Sequence, residues 1–297
     1  MSAEADRQLP IGDEIFLDHV GHFVRDPDAA AAALARAGFG PTPVSIQVNP
    51  DPAGGAPRPT GTGNVTAMFR RGYVEALFKT ADTPLGAQLD AGLARYGGVH
   101  LAAFAVADAA RAHARLGAQG FRMQPLVHME RPAATEDGPG TAAFTLARVE
   151  PGEMPEGRIQ ILTHRTEETV WQPRWLAHSN GALALTSIMI VEADPAEAGE
   201  RFARFTGRAA APTACGRTVA LDRGRVDLVT VEHFAQMLPE APIPSLPFAA
   251  AYGIRVKSLT ALEAMLARAG LQQRRRPHDL VVVFPQALGR GAWLFTE

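Results

Sequence analysis

The feature that most constrains this chain is an internal repeat. Residues 15–39 (IFLDHVGHFVRDPDAAAAALARAGF) run from an apolar extended segment, through Asp26-Pro27, into an alanine-rich helix that closes at Gly38. Residues 99–121, 183–207 and 249–271 follow the same order, and the helix ends LARAGF (34–39) and LARAGL (266–271) are nearly identical. A unit that recurs in this way is one supersecondary element, which buries its apolar face by packing on its own copies. The local chemistry agrees. Asp26 and Asp194 are suited to cap a helix N-terminus, where backbone N–H groups lack partners, and Pro27 and Pro195 then fall at the first helical position. Ser258 or Thr260 takes that role in the fourth unit. Gly38, Gly120, Gly207 and Gly270 stand where a left-handed residue would close each helix.

Further strand candidates follow each helix. They lie at 44–48, 64–70 and 73–79; at 123–128, 141–149 and 158–164; at 218–222 and 225–231; and at 280–285 and 292–295. The order is strand, helix, then two or three strands, four times over. A doubly wound parallel sheet is one way to arrange alternating strands and helices. The excess of strands and the short turn at Arg71-Gly72 favour mostly antiparallel α+β modules instead. Proline and glycine predict loops at 50–63, 132–140 and 151–157. Residues 165–181 join units two and three, and Trp171 and Trp175 predict that this linker packs down.

Composition narrows the function. A length of 297 residues suits one large or two medium domains, and 46% hydrophobic with 20% charged residues is globular composition. Lys+Arg of 29 against Asp+Glu of 31 gives a formal charge of −2, so no strong field favours nucleic acid or an anionic membrane. The one cysteine, Cys215, excludes an internal disulfide and a CxxC zinc site and fits a reducing compartment. The polar N-terminus lacks an apolar core of signal-peptide length, and no apolar run reaches membrane-span length. A cytoplasmic location is expected. There is no Gly-x-Ser-x-Gly elbow, no Walker A sequence and no HExxH.

The module order, with LDHVGHFVRDPDAA (17–30), GYVEALF (72–78) and VHLAAFAV (99–106), resembles the vicinal oxygen chelate superfamily. That superfamily includes lactoylglutathione lyases, extradiol dioxygenases and bleomycin-type resistance proteins. More narrowly, DHVGHFV (18–24), GTGN (61–64) and THRTEETVWQPRWLAHSNGA (163–182) resemble a bacterial group of glyoxalase-like domain proteins. The closer match spans roughly 15–190. The resemblance implies an α+β fold of four βαβββ modules, paired into two glyoxalase-like domains with cupped, mostly antiparallel sheets. One domain is expected at 15–165 with a metal site, and a degenerate one without ligands at 182–297.

In such a cup, ligands come from the first and last strands of each module. The resemblance therefore implies His19, Glu75 and His100, with Gln160 where a glutamate is common. Two imidazoles and one carboxylate suit a divalent ion such as Fe, Mn, Co, Ni or Zn. Glu75 is also the expected catalytic group, and Asn64, His164 and Trp171 are expected at the pocket rim. His22 has the opposite strand parity to His19 and is read as a core histidine. Ser187 and a position near Ala251 stand where the second half would need imidazoles. The expected function is a metal-dependent enzyme acting on a small oxygen-bearing substrate, without nucleic-acid or membrane partners and with a possible homodimer. The alternatives are a metal-free protein that sequesters a small molecule, and a partner-binding scaffold.

Overall fold

The computed structural model describes residues 7–49 and 54–297 and shows a mixed α+β molecule built on curved sheets. The first repeat contains β1 (Ile15–Phe23), α1 (Pro27–Arg36), β2 (Ser45–Asn49), β3 (Arg58–Met68) and β4 (Tyr73–Lys79), and α2 (Pro84–Arg95) follows it. Next come β5 (Gly98–Val106), α3 (Ala109–Ala118), β6 (Val127–Thr135), β7 (Gly138–Arg148), β8 (Arg158–His164) and the short α4 (Glu167–Val170). The second half begins with β9 (Ala182–Glu192), α5 (Pro195–Thr206), β10 (Ala210–Thr213), β11 (Gly216–Ala220), β12 (Arg225–Thr230) and α6 (Val231–Met237). It ends with β13 (Phe248–Val256), α7 (Leu259–Arg268), β14 (Gln273–Arg275), β15 (Leu280–Val283) and β16 (Ala292–Thr296).

Within each repeat the last strand returns parallel to the first: β4 on β1, β8 on β5, β12 on β9 and β16 on β13. The first strands of successive repeats pair antiparallel, β1 with β5 and β9 with β13. Each half of the sheet therefore curls about a central antiparallel pair. The two halves meet along β5 and β13, through the Ala249–Val99 pair.

Helices α1, α3, α5 and α7 cover the outer face. Asp26, Asp108, Asp194 and Ser258 cap α1, α3, α5 and α7 with side-chain oxygens. Gly38, Gly120, Gly207 and Gly270 all have positive φ just after those helices, as the sequence predicts. The core lies between the helices and the sheet and includes Leu17, Val20, Leu34, Phe104, Ile190, Phe202 and Phe295, all fully or almost fully buried. His22 belongs to this layer. Its Nδ1 lies 2.8 Å from the Leu288 carbonyl and its Nε2 2.9 Å from the Tyr252 hydroxyl. Burial lowers its pKa to about 4, so it sits in the core as the neutral imidazole.

The structure differs from the sequence expectation at several places. Residues 132–140 form a hairpin, not a loop: β6 and β7 pair through Thr135 and Gly138 around a two-residue turn. Proline is tolerated there because β6 is an edge strand. The expected loop at 50–63 yields its second half to β3, and residues 50–53 lie outside the described residues. Helix α2 was not foreseen because Gly86 and Gly92 weaken its signal. Gly92 is required by packing, since a Cβ there would stand 2.6 Å from the Phe23 ring. No helix among the described residues is long and apolar enough to cross a membrane.

A buried acid marks the seam between the halves. Glu192, at the end of β9, lies beside Glu156 and Arg201. Burial first, and Glu156 second, push its pKa up to about 8 against the pull of Arg201. A carboxyl whose folded pKa is raised stabilises the fold below its unfolded pKa and loses that stabilisation as pH rises through the folded value. Glu192→Gln, which mimics the protonated acid, is expected to be neutral near pH 5. By pH 8.5 it should stabilise by a few kcal/mol, on the order of 1.4 kcal/mol for each pH unit between the two pKa values. Denaturant midpoints of both proteins across that range check this.

Candidate active site

The inner face of the first half-sheet encloses a cavity of about 310 Å³. Its two walls differ in chemistry. The first repeat contributes Gln47, Thr60, Asn64, Thr66, Tyr73 and Glu75, which are mostly polar. The second contributes Val127, Met129, Phe144, Leu146 and Leu162, which are apolar, together with Arg131, Arg148, Arg158 and Gln160.

His19 sits on β1 at the cavity wall. Its Nδ1 lies 2.7 Å from Asp18 Oδ2, and its ring stacks on Tyr73 at 4.3 Å between centroids. Asp18 is fully buried and also meets His164, whose Nε2 lies 3.1 Å from Oδ1. Burial alone would raise the Asp18 pKa. The charges and hydrogen bonds of His164 and His19 outweigh it and hold the carboxyl well below the usual range. An ionised Asp18 accepts from His19 Nδ1–H, which leaves Nε2 as the atom presented to the cavity. Burial, then the charges of Asp18 and Glu75, keep the Tyr73 phenol protonated.

Glu75, on β4, faces His19 across the corner of the cup. Asn64 Nδ2 donates to its Oε1, and its Oε2 stands 3.8 Å from His19 Nε2. That gap exceeds a hydrogen bond. Both atoms therefore remain available to a molecule in the cavity.

Gln160 occupies on β8 the place that Glu75 occupies on β4: Glu75 is in register with Gly21 of β1, and Gln160 with Ala103 of β5. Its Oε1 accepts from Arg148 Nε at 3.0 Å. Asn64 and Gln160 thus line the cavity, whereas His164 and Trp171 stand behind its wall. Trp171 is buried and packs edge-on to His164 at 4.6 Å and to Tyr73 at 6.0 Å. Trp175, from the same linker, does line the cavity.

The structure does not bring His100 to His19 and Glu75. Pairing of β1 with β5 shifts register twice, which leaves Asp18 and His100 as the extra residues of two bulges. His19 precedes the cap Asp26 by seven residues; seven residues before the cap Asp108 stands Leu101, not His100. Leu101 accordingly lines the cavity. The His100 ring stacks between Tyr96 and Phe23, with Nε2 2.8 Å from the Tyr96 carbonyl. Burial lowers its pKa to about 4. It lines a second pocket beyond Phe23. The spacing from histidine to cap was the signal for this in the sequence, and strand starts alone conceal it. Sequence reasoning missed Asp18, Arg148 and Arg158, because a charge within a buried strand carries no local pattern.

The second half has no counterpart of this site. Ser187 and Ala251 are buried at the positions equivalent to His19, and Asp227 is tied to Thr218 and Arg225. The inside of that cup is filled by Phe234 and Leu238, which pack with Phe248, Met189 and Leu294.

The donor set bears directly on the metal that the sequence resemblance implies. His19 Nε2 and Glu75 Oε2 are two ready donors. Leu101 stands where a second imidazole would, and the Gln160 oxygen is already engaged. Among the described residues no group of three or more His, Cys, Asp or Glu side chains is placed to hold a metal ion. Two donors beside half-buried guanidinium groups do not fit a divalent ion held by protein atoms alone.

Comparison with known proteins agrees with the geometry of the fold. No curated protein matches the chain in sequence. A hypothetical protein from Staphylococcus aureus is similar in structure, with a TM-score of 0.64 at 9% identity, covering 95% of this chain and 98% of that one. A mutant of 4-hydroxymandelate synthase from Streptomyces coelicolor gives 0.55 at 11% identity, covering 96% and 93%. A Mn(II)-bound glyoxalase from Novosphingobium aromaticivorans gives 0.52 at 13% identity, covering 95% and 82%. At these identities the likeness shows the shared fold. The model of the glyoxalase-like domain family matches residues 17–206, which span the whole first cup and the start of the second half. The chain belongs to the glyoxalase-like domain family.

Proposed function

We propose that the first cup, within a domain spanning about 15–165, binds a small oxygen-bearing organic molecule and moves a proton on it. The His19–Glu75 pair is the machinery. One observation carries this reading: His19 Nε2 and Glu75 Oε2 stand 3.8 Å apart at the cavity wall, each held from behind, by Asp18 and by Asn64. Asp18 fixes the tautomer and orientation of His19, as a carboxylate behind an imidazole does in hydrolytic triads. Asn64 ties one oxygen of Glu75 and leaves the other free. A carbon acid next to a carbonyl, placed against the pair, would lose its C–H proton to one of these two acceptors and regain one from the same atom, while the arginines of the cavity are the donors available to the carbonyl oxygen. The second half, about 182–297, packs against this domain and contributes no polar group to the reaction. Cytoplasmic placement accords with the single cysteine.

The test is solvent exchange. The full chain is incubated in deuterium oxide with a panel of 2-oxo acids, hydroxyketones and 1,3-dicarbonyl compounds, and loss of the C–H signal is followed by NMR. At least one compound should exchange faster than in buffer. If no member of the panel does so, the proton-transfer reading fails.

A second reading is favoured by the same 3.8 Å approach. There a divalent ion (Mn, Fe, Co, Ni or Zn) would be shared by His19 and Glu75, with oxygens of the bound molecule completing its shell. The Mn(II)-bound glyoxalase among the structural neighbours supports it.

A further inference from the structure

Two cations of the cup are unaccounted for by that reading. Arg148, on β7, and Arg158, on β8, line both the 310 Å³ cavity and the 340 Å³ pocket beyond Phe23, so they stand between the two. Neither makes an ion pair with any described residue. Arg148 Nε donates to Gln160 and Arg158 Nη2 to Gln88 Oε1 at 3.1 Å, both neutral acceptors. Arg158 Nε is buried with no hydrogen-bond partner, and its guanidinium lies over the Phe23 ring at 5.5 Å. Glu75 is the one carboxylate among the cavity-lining residues described, against Arg131, Arg148, Arg158 and Arg174. Two half-buried like charges held close together repel, and an anion between them relieves that repulsion. Burial, then Arg148, pull the Arg158 pKa down to about 10 against the opposing charge of Glu75, which still leaves it charged at neutral pH.

We propose that Arg148 and Arg158 form an anion subsite that takes the carboxylate of a small organic acid, whose hydrocarbon body lies on the wall of Met129, Phe144 and Leu146. The proposal rests on the cup being a small-molecule site and adds the class of molecule. A carboxylate presents two coplanar oxygens that match the guanidinium fork. The neighbouring apolar wall suits a hydrocarbon body, and the nearby Glu75 opposes a second negative charge. Gln160, anchored by Arg148, offers its amide N–H to the same anion.

Calorimetric titration of the full chain tests this at fixed ionic strength. The probes are 3-phenylpropanoate and 4-methylpentanoate, their neutral amides, and inorganic phosphate. Each acid should bind about tenfold or more tighter than its amide, by loss of charge-assisted hydrogen bonds in the amide. Arg148→Gln and Arg158→Gln should each remove that preference, and Arg158→Lys, which keeps the charge without the fork, should retain part of it. Thermal melts establish that each variant is folded. The proposal is overturned if neither acid binds, if amides bind as well as acids, if phosphate binds more tightly than both acids, or if the folded double Gln variant still prefers acids. Acid binding without any deuterium exchange would remove the proton-transfer reading and leave the carboxylate subsite standing.

Discussion

Replacing Glu75 with glutamine should lower the exchange rate of the responsive carbonyl compound by about 10²–10⁴-fold, the usual contribution of a positioned general acid or base. Shape and packing are preserved in this variant. Asn64 can still hydrogen-bond the side-chain amide, so the cup should keep its form and the melting temperature should move little. His19→Ala should fall in the same range. Asp18→Asn is the more informative partner. It leaves the side chain in place but removes the ionised acceptor that His19 Nδ1 and His164 Nε2 both face. The imidazole would then be free to take the wrong tautomer, and the rate should fall although neither group at the reacting atoms has changed. Equal exchange rates in wild type and Glu75→Gln would assign the proton transfer elsewhere.

Gly289→Val should be among the most destabilising single changes in the chain. Gly289 has φ +86°, where a β-branched residue is strained, and a Cβ there would meet the Gly97 carbonyl carbon and oxygen at 2.1 Å. Those atoms are backbone, and Arg290 N donates to the Gly97 carbonyl at 2.7 Å, so neither side can withdraw without opening the contact between 289–290 and the start of β5. Left-handed strain and overpacking together amount to about 4 kcal/mol. Against a typical total of about 5–15 kcal/mol, that is a large share. Denaturant unfolding of the variant measures it, and a loss below about 1 kcal/mol would show that this seam is not a tight one.

Much of the architecture was legible because it is written in local chemistry. Asp26-Pro27 and Asp194-Pro195 announce helix starts through the needs of unpaired N–H groups. Gly38 and Gly207 announce helix ends through their backbone freedom. Strands β4 and β8 were readable to the residue, since apolar runs bounded by turns leave little choice. The edge strands were less so: β6 carries Pro132, and β10 and β14 are only four and three residues long, too short to show a pattern. In the candidate site, His19 and Glu75 line one cavity because β1 and β4 lie where the sequence places them, and Asn64 joins them although β3 begins earlier than the sequence suggests. His100 was not brought to them, because one extra residue in β5 reverses the face to which a side chain points, and a bulge leaves no mark in composition. The side-chain partners of Asp18, Arg148 and Arg158 include His164, Gln160 and Gln88, which are distant in sequence and leave no local pattern.

The most direct measurement is the metal content of the untagged full chain, by elemental mass spectrometry, beside His19→Ala and Glu75→Ala. A cup that works through its own imidazole and carboxylate should carry far less than one equivalent of Mn, Fe, Co, Ni or Zn, with the same residue of metal in all three proteins, while wild type alone exchanges deuterium. Near-stoichiometric metal in wild type, lost from both variants, would contradict the account and put a shared ion between His19 and Glu75 in its place.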